Sequence, residues 1–275
     1  MIYYCDSHLH SNNSFDGKPT VKEICEKAVS LGLSAVTITD HMEAPEISLK
    51  EKSEYGDMVK QIKKSVSDVE NCQTFYKDNL TVLKGMELGE PMHNLELTKQ
   101  ALEIADFDFI LASVHNLKDE QDFYFLDYSK VNVSQLMKRY FNELLDTAQN
   151  ADFDSLAHLT YPFRYISERT DLDDENLIQE NEIIIDEIFK ALINRGKALE
   201  INTSGLFKKI SSTLPNAQLL QRYKELGGEY ITIGSDAHQT ENIAQGFGVG
   251  IEILKECGFD YITLYKNRKP NLIKI

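Results

Sequence analysis

The sequence predicts an α/β protein built as one closed barrel of parallel strands, and three observations lead there. Short runs rich in β-branched and aromatic residues alternate with helical patterns along the whole chain, the order that parallel strands joined by right-handed crossovers require. About seven or eight such units in ~250 residues match a barrel rather than an open sheet. No G-x-G-x-x-G follows any strand, which removes the signature of a dinucleotide-binding sheet. No repeat, low-complexity tract or linker marks a boundary, so residues 1–275 read as one domain.

Each element has a local reason. Tyr3-Tyr4-Cys5-Asp6-Ser7-His8-Leu9-His10 begins as a strand and runs into a His-x-His pair. Thr20 with Glu23 forms a capping-box pattern that opens a helix ending near Leu31-Gly32. Ala35 to Thr39 is strand two, running into Asp40-His41, and a polar stretch leads to a helix from about Tyr55 to Tyr76. Leu80 to Met86 is strand three, ending in Glu87; Leu95 to Ala105 is helical; Phe109 to Val114 is strand four, ending in His115. A helix from about Val133 to Gln149 precedes a short strand, Ser155 to Ala157, that ends in His158. Asp173 to Asn194 reads as one long helix stopped by Arg195-Gly196. Lys197 to Ile201 is strand six, ending in Asn202, and Asn216 to Leu226 is helical. Tyr230 to Gly234 is strand seven, ending in Ser235-Asp236-Ala237-His238; a last helix from about Thr240 to Cys257 precedes a terminal strand or tail, Tyr261 to Tyr265.

Composition narrows the function classes. With 42% hydrophobic residues the chain can bury a full core. A formal charge of −15 works against tight binding to nucleic acid or an anionic membrane. A small anionic substrate could still bind, but only if metals or a few arginines make a local positive site. The four cysteines, Cys5, Cys25, Cys72 and Cys257, are scattered without a C-x-x-C, so neither a disulfide framework nor a thiolate zinc site is expected. No apolar run approaches the ~20 residues that cross a bilayer, and the N-terminus enters a strand without a leader. The expected setting is the cytoplasm.

The polar residues fall in one place. The first seven strands end in His8 and His10, His41, Glu87, His115, His158, Asn202, then Asp236 and His238. In a parallel barrel these carboxyl ends share one rim, where such enzymes place their sites. Six of the seven histidines are there, more than satisfied core imidazoles or surface decoration would give. Two imidazoles at i and i+2 of a strand face the same way, and a nitrogen and oxygen donor set without thiolate suits zinc, iron(II) or manganese. Six histidines with Glu87, Asp236 and Asp16 exceed one ion and fit two or three. That multiplicity points to hydrolysis by a metal-bound hydroxide.

Taken together, His8-Leu9-His10, Thr39-Asp40-His41, Gly85-Met86-Glu87, Ser113-Val114-His115, His158 and Ser235-Asp236-Ala237-His238 resemble the PHP (polymerase and histidinol phosphatase) superfamily, most of all its histidinol-phosphate phosphatases. The resemblance implies a distorted (β/α)7, TIM-like barrel with a trinuclear centre. It implies one ion on His8, His10, Glu87 and Asp236, a second on Glu87, His115 and His158, and a third on Asp16, His41 and His238. Asp16 stands where other members often have histidine. The implied reaction is hydrolysis of L-histidinol phosphate, a step of histidine biosynthesis; the competing readings are a phosphoesterase acting on another small phosphate ester or on nucleic acid (a phosphodiesterase or exonuclease) and a non-catalytic metal-binding domain.

Substrate contacts are sparser. Arg164, six residues past His158, is the candidate for bidentate phosphate binding and catalysis, against a surface pairing with Glu168. Asp236 or His238 is the candidate for protonating the leaving group. Asn202 is a further substrate contact, and Lys208 or Lys209 replaces the arginine of the Ser-Gly-Leu-Arg that the family often shows after it. Glu90 and His93, after strand three, are candidates for the organic part of the substrate. Arg195 is read as a helix C-cap rather than a catalytic group.

Overall fold

The computed structural model describes residues 5–43 and 51–275, with the side chains of 51–56 undescribed. Tyr3 and Tyr4 of the first strand pattern lie outside those residues, as does most of the polar stretch before the second helix.

In chain order the elements are β1 (Cys5–Leu9), α1 (Val21–Leu31), β2 (Ala35–Ile38), β3 (His41–Glu43), α2 (Glu51–Tyr76), β4 (Thr81–Gly89), α3 (Leu95–Leu102), β5 (Phe109–Ser113), α4 (Val133–Asn150), β6 (Ser155–Leu156), α5 (Phe163–Arg169), α6 (Asp174–Glu180), α7 (Glu182–Asn194), β7 (Ala198–Asn202), α8 (Ala217–Glu225), β8 (Ile231–Gly234), α9 (Phe247–Glu256), β9 (Tyr261–Lys266) and β10 (Lys269–Lys274). The sheet runs β1-β2-β4-β5-β6-β7-β8, all parallel, with β3 continuing the β2 stave against β4. It is a nearly closed seven-stave barrel. Closure is made at the carboxyl rim, where the Asp236 amide donates to the His8 carbonyl (2.9 Å) and the His10 amide to the Ala237 carbonyl (3.0 Å).

Alternation along the strands sorts the two faces. Leu199 and Ile201 of β7, Ile231 and Ile233 of β8 and Ile110 and Ala112 of β5 pack under the helices in the main core, so Glu200, Thr232 and Leu111 take the barrel interior. A small cluster of Phe109, Leu111, Ala157, Ala198 and Tyr265 fills that interior towards the amino-terminal ends. The β9–β10 hairpin supports it: the amides of Asn267 and Arg268 donate to Asp108, just before β5 (both 2.9 Å).

The expected caps hold. Thr20 and Glu23 form the reciprocal capping box, and Gly32 closes α1 in the left-handed region (φ 74°) that glycine tolerates best. Four readings need correction, and one element is added. Strand two breaks at Thr39-Asp40 and resumes as β3, because Asp40 collects side-chain donors there. The long helix from Asp173 is two, α6 and α7, broken at Asn181, whose buried Nδ2 turns back on the Leu177 carbonyl. The last helix starts at Phe247 rather than Thr240, after left-handed Ala244 and Gly246. The stretch carrying Arg164 is a short helix, α5, rather than a loop. The C-terminal strand gains a partner, β10, through a turn in which Asn267 and Arg268 both have positive φ.

Candidate metal centre

Strand ends bring the donors together as the spacing predicts. His41 lies in register with Glu87 across β3 and β4, while His115 and His158 follow β5 and β6 by two residues. Asp236 takes a left-handed backbone (φ 54°). Its Oδ1 stands 3.6 and 3.5 Å from the Nε2 atoms of His8 and His10, and its Oδ2 accepts from Arg164. Strain of that kind persists where the surroundings fix it, as at binding sites. Gly234, just before, is required by packing: a Cβ there would lie 2.4 Å from both the His8 Cβ and Glu200 Oε1.

The distances have the scale of a ligand shell. Tetrahedral donors at about 2.0–2.1 Å from an ion sit about 3.3–3.4 Å apart. His8 Nε2 is 3.1 Å from His10 Nε2 and 3.3 Å from Glu87 Oε2, and His10 Nε2 is 3.4 Å from that oxygen. The other Glu87 oxygen, Oε1, lies 3.3 Å from His115 Nε2 and 3.0 Å from His158 Nε2. Glu87 therefore faces two nitrogen pairs with its two oxygens, the arrangement of a bridging carboxylate. Asp16 approaches His238 Nε2 with one oxygen (3.0 Å) and His41 Nε2 with the other (3.7 Å). The ring of His10 stacks against those of both His41 and His238, at 4.3 and 4.2 Å. Glu87 Oε2 and His41 Nδ1, though 3.0 Å apart, have no aligned hydrogen bond, and both are buried. Buried, unpaired donor atoms turned towards one point fit divalent cations.

The electrostatics are those of a crowded site. Burial would lower the His8, His41 and His115 imidazoles, but the facing carboxylates overcome it: Glu200, Glu87 and Asp236 for His8, Glu87 and Asp16 for His41, Glu87 and Glu43 for His115. His8 and His115 are held well above the usual imidazole range and His41 is pushed up to about 10. His10, buried beside His238 and His41, goes the other way, to about 3. Burial would raise Glu87 and Asp236, yet His8, His41 and His115 hold Glu87 well below the carboxylate range, and Arg164 and His8 do the same for Asp236.

Among the candidate substrate contacts, Arg164 is brought in and Lys208 is not. The Arg164 Nη2 donates to Asp236 Oδ2 (2.6 Å), Ser204 Oγ (2.7 Å) and Asn202 Oδ1 (3.3 Å), so its partner is Asp236 rather than Glu168. Lys208 is exposed beyond the 3-10 turn Ser204–Phe207, and Lys209 reaches the Glu168 carbonyl (3.4 Å). Arg195 is the C-cap of α7, as read, and its side chain also donates to the Ala148 (2.6 Å) and Ala151 (2.7 Å) carbonyls at the end of α4. His93 pairs with Glu143, and Glu90 accepts from the His115 amide (2.6 Å). His93 and Glu90 line a cavity of about 590 Å³ with Phe15, Glu43, Asn116 and Asp122; His115 is part of its wall, so it adjoins the donor cluster. Phe15, 70% exposed, stacks on His41 at its edge.

Two carboxylates escaped the reading of the sequence. Glu43 Oε1 lies 3.5 Å from the Nδ1 atoms of both His41 and His115, and its signal was the i, i+2 spacing from His41. Glu200 reaches His8 Nδ1 (2.7 Å); its signal was a lone acid inside the apolar run Ala198-Leu199-Glu200-Ile201.

Comparison with known proteins gives the family and the fold. A family model described as PHP domain matches residues 6–204. A probable histidinol-phosphatase of Thermotoga maritima is 30% identical over 261 residues, covering 94% of each chain. The histidinol-phosphatase of Lactococcus lactis is 27% identical over 266 residues, covering 96% of this chain and 95% of its own. The crystal structure of the L. lactis histidinol phosphate phosphatase, complexed with zinc, L-histidinol and phosphate, superposes with a TM-score of 0.79 at 25% identity, covering 98% of this chain and 100% of that one.

Proposed function

The chain belongs to the PHP domain family, and on that premise we propose that it is a metal-dependent phosphomonoesterase that hydrolyses L-histidinol phosphate to L-histidinol and phosphate. The observation that carries the reading is Glu87, whose two oxygens face separate histidine pairs at ligand-shell distances. Residues 1–275 act as one unit, with two or three zinc, iron or manganese ions at the rim. His8, His10, Glu87 and Asp236 would hold the first ion, Glu87, His115 and His158 the second, and Asp16, His41 and His238 the third. Such ions supply a nucleophile from water at neutral pH and neutralise phosphoryl oxygens.

The chain's own groups do the rest. Arg164, with Nη2 held by Asp236 and Ser204 and a buried, unpaired Nε, presents its remaining donors to phosphate. Asn202 orders that edge by contacting both Arg164 and Asp236. Asp236, held well below the carboxylate range by Arg164 and His8, has no proton to give, which leaves His238 to protonate the departing alkoxide. The cavity beside His115 takes the organic part: Glu43, Glu90 and Asp122 suit a cationic group, Phe15 a flat ring. Lys208, exposed as it stands, contributes at most long-range charge. The net charge of −15 supports a small substrate rather than nucleic acid.

The test is a phosphate-release screen of protein loaded with zinc, manganese or iron(II) over histidinol phosphate, sugar phosphates, nucleotides and short oligonucleotides, with metal content measured. Preferred release from histidinol phosphate is expected. Cleavage of oligonucleotides without it would overturn the assignment.

A further inference from the structure

We infer that Glu200 is a positioning residue of this site: it fixes the tautomer and orientation of His8, and through His8 the ion that Glu87 and Asp236 share. The inference rests on the reading above only in taking His8 Nε2 as a metal donor.

Glu200 is 1% exposed, in the middle of β7, and three groups bond to it. Its Oε1 accepts from His8 Nδ1 at 2.7 Å; its Oε2 accepts from the His158 backbone amide at 2.7 Å and from Asn202 Nδ2 at 3.2 Å. An ionised carboxylate can only accept. A metal-bound imidazole is neutral and carries one proton, so with that acceptor 2.7 Å away the proton belongs on Nδ1. The lone pair is then on Nε2, the atom 3.1–3.6 Å from His10, Glu87 and Asp236. The pairing is built into the backbone, since only glycine at 234 leaves space between the two side chains.

Glutamine is nearly the same shape and cannot do this. It has one accepting oxygen where Glu200 faces donors on both sides. If that oxygen meets His8, the amide NH2 confronts the His158 amide and Asn202 Nδ2. In the other orientation the NH2 meets His8 Nδ1, which must then accept, and the imidazole proton moves to Nε2, where the ion would bind. Either arrangement weakens the site; orienting carboxylates behind metal-bound histidine typically contribute 10–100-fold in affinity.

The experiment is zinc titration of the stripped E200Q full chain against a competing chelator, with no substrate present, alongside 15N NMR of histidine-labelled, zinc-loaded parent protein in which H8Q identifies the His8 signals. The expected result is one ion per chain bound 10–100-fold more weakly in E200Q, with circular dichroism unchanged, and His8 protonated on Nδ1 in the parent. Parental zinc affinity and stoichiometry in E200Q, or a His8 proton on Nε2, would overturn the inference. If E200Q does not fold, E200D carries the same titration, its shorter carboxylate drawn away from Nδ1. Since no turnover is read, a wrong assignment of substrate leaves this result untouched.

Discussion

The guanidinium of Arg164 is fixed from one edge. Its Nη2 is shared among Asp236, Ser204 and Asn202, its Cζ lies 5.2 Å from the centre of the Tyr161 ring, and its Nε has no hydrogen-bond partner among the described residues. A cation so ordered can meet a phosphate with little further loss of side-chain freedom. Arg164→Ala is therefore expected to lower kcat/KM for histidinol phosphate by ~2–4 kcal/mol in barrier terms, and Arg164→Lys to recover part, because an ammonium has no planar fork. Steady-state kinetics with metal content measured checks both, since Arg164 also steadies Asp236; a fully active alanine variant would remove it from the site. Glu87→Ala should lose far more activity than His93→Ala, because Glu87 meets five imidazoles whereas His93 pairs with Glu143 at the cavity wall. Comparable losses in the two variants would mean the bridging role is misplaced. The histidines of this site were legible in the sequence because there are seven in the chain and six stand at strand ends. Its carboxylates were less so: among 44 acids, one more glutamate carries little signal until the fold places it, as with Glu43 and Glu200.

At the level of elements, the break between β2 and β3 shows how irregularity serves the site. Asp40 occupies it and accepts from the Ser11 amide (2.6 Å), Ser11 Oγ (2.7 Å), Ser14 Oγ (2.9 Å) and, from α2, Ser65 Oγ (2.5 Å). Ser14 in turn accepts from the His41 amide (3.0 Å) and lies 3.3 Å from His10 Nδ1. One buried carboxylate thus joins the loop after β1, the second stave and α2 behind two candidate ligands. Asparagine keeps the shape but gives up accepting capacity, so Asp40→Asn should cost about 1–3 kcal/mol for the donors left unmet. Urea denaturation of the metal-free protein measures this directly; a parental midpoint would mean that the hydroxyls find other partners at no cost. Periodicity and caps made the regular elements readable. The breaks at Thr39-Asp40, Asn181 and Ala244-Gly246 were not, because each depends on side-chain bonds or backbone angles that a helical or strand pattern does not encode.

For the whole molecule, the notable feature is that the barrel closes through the site itself. The bonds joining β8 to β1 involve the backbones of His8, His10, Asp236 and Ala237, so charge balance at the rim bears on the integrity of the ring. In the metal-free protein that balance rests on protons. His8, His41 and His115 have folded pKa values above the ordinary 6.5, so their pairing with Glu87 and its neighbours contributes fully below that value. The contribution is lost as pH rises through the folded values, about 10 for His41. Glu87 and Asp236, held low, contribute above the ordinary carboxylate range and lose the contribution only as pH falls. His10, pushed down to about 3, opposes the other histidines on the acid side alone, which leaves the alkaline limb as the clean test. Between pH 7 and pH 10 the unfolded histidines are neutral while His41 still holds its proton in the folded, stripped protein, so folding must take up protons that grow scarcer and the melting temperature should fall. Divalent ions replace those protons and, by binding the folded state, raise stability in proportion to the logarithm of their concentration over Kd. Thermal melts across that range, with chelator and with excess zinc, should therefore diverge as pH rises. Parallel curves would mean that ring closure is indifferent to the charge of the cluster it passes through.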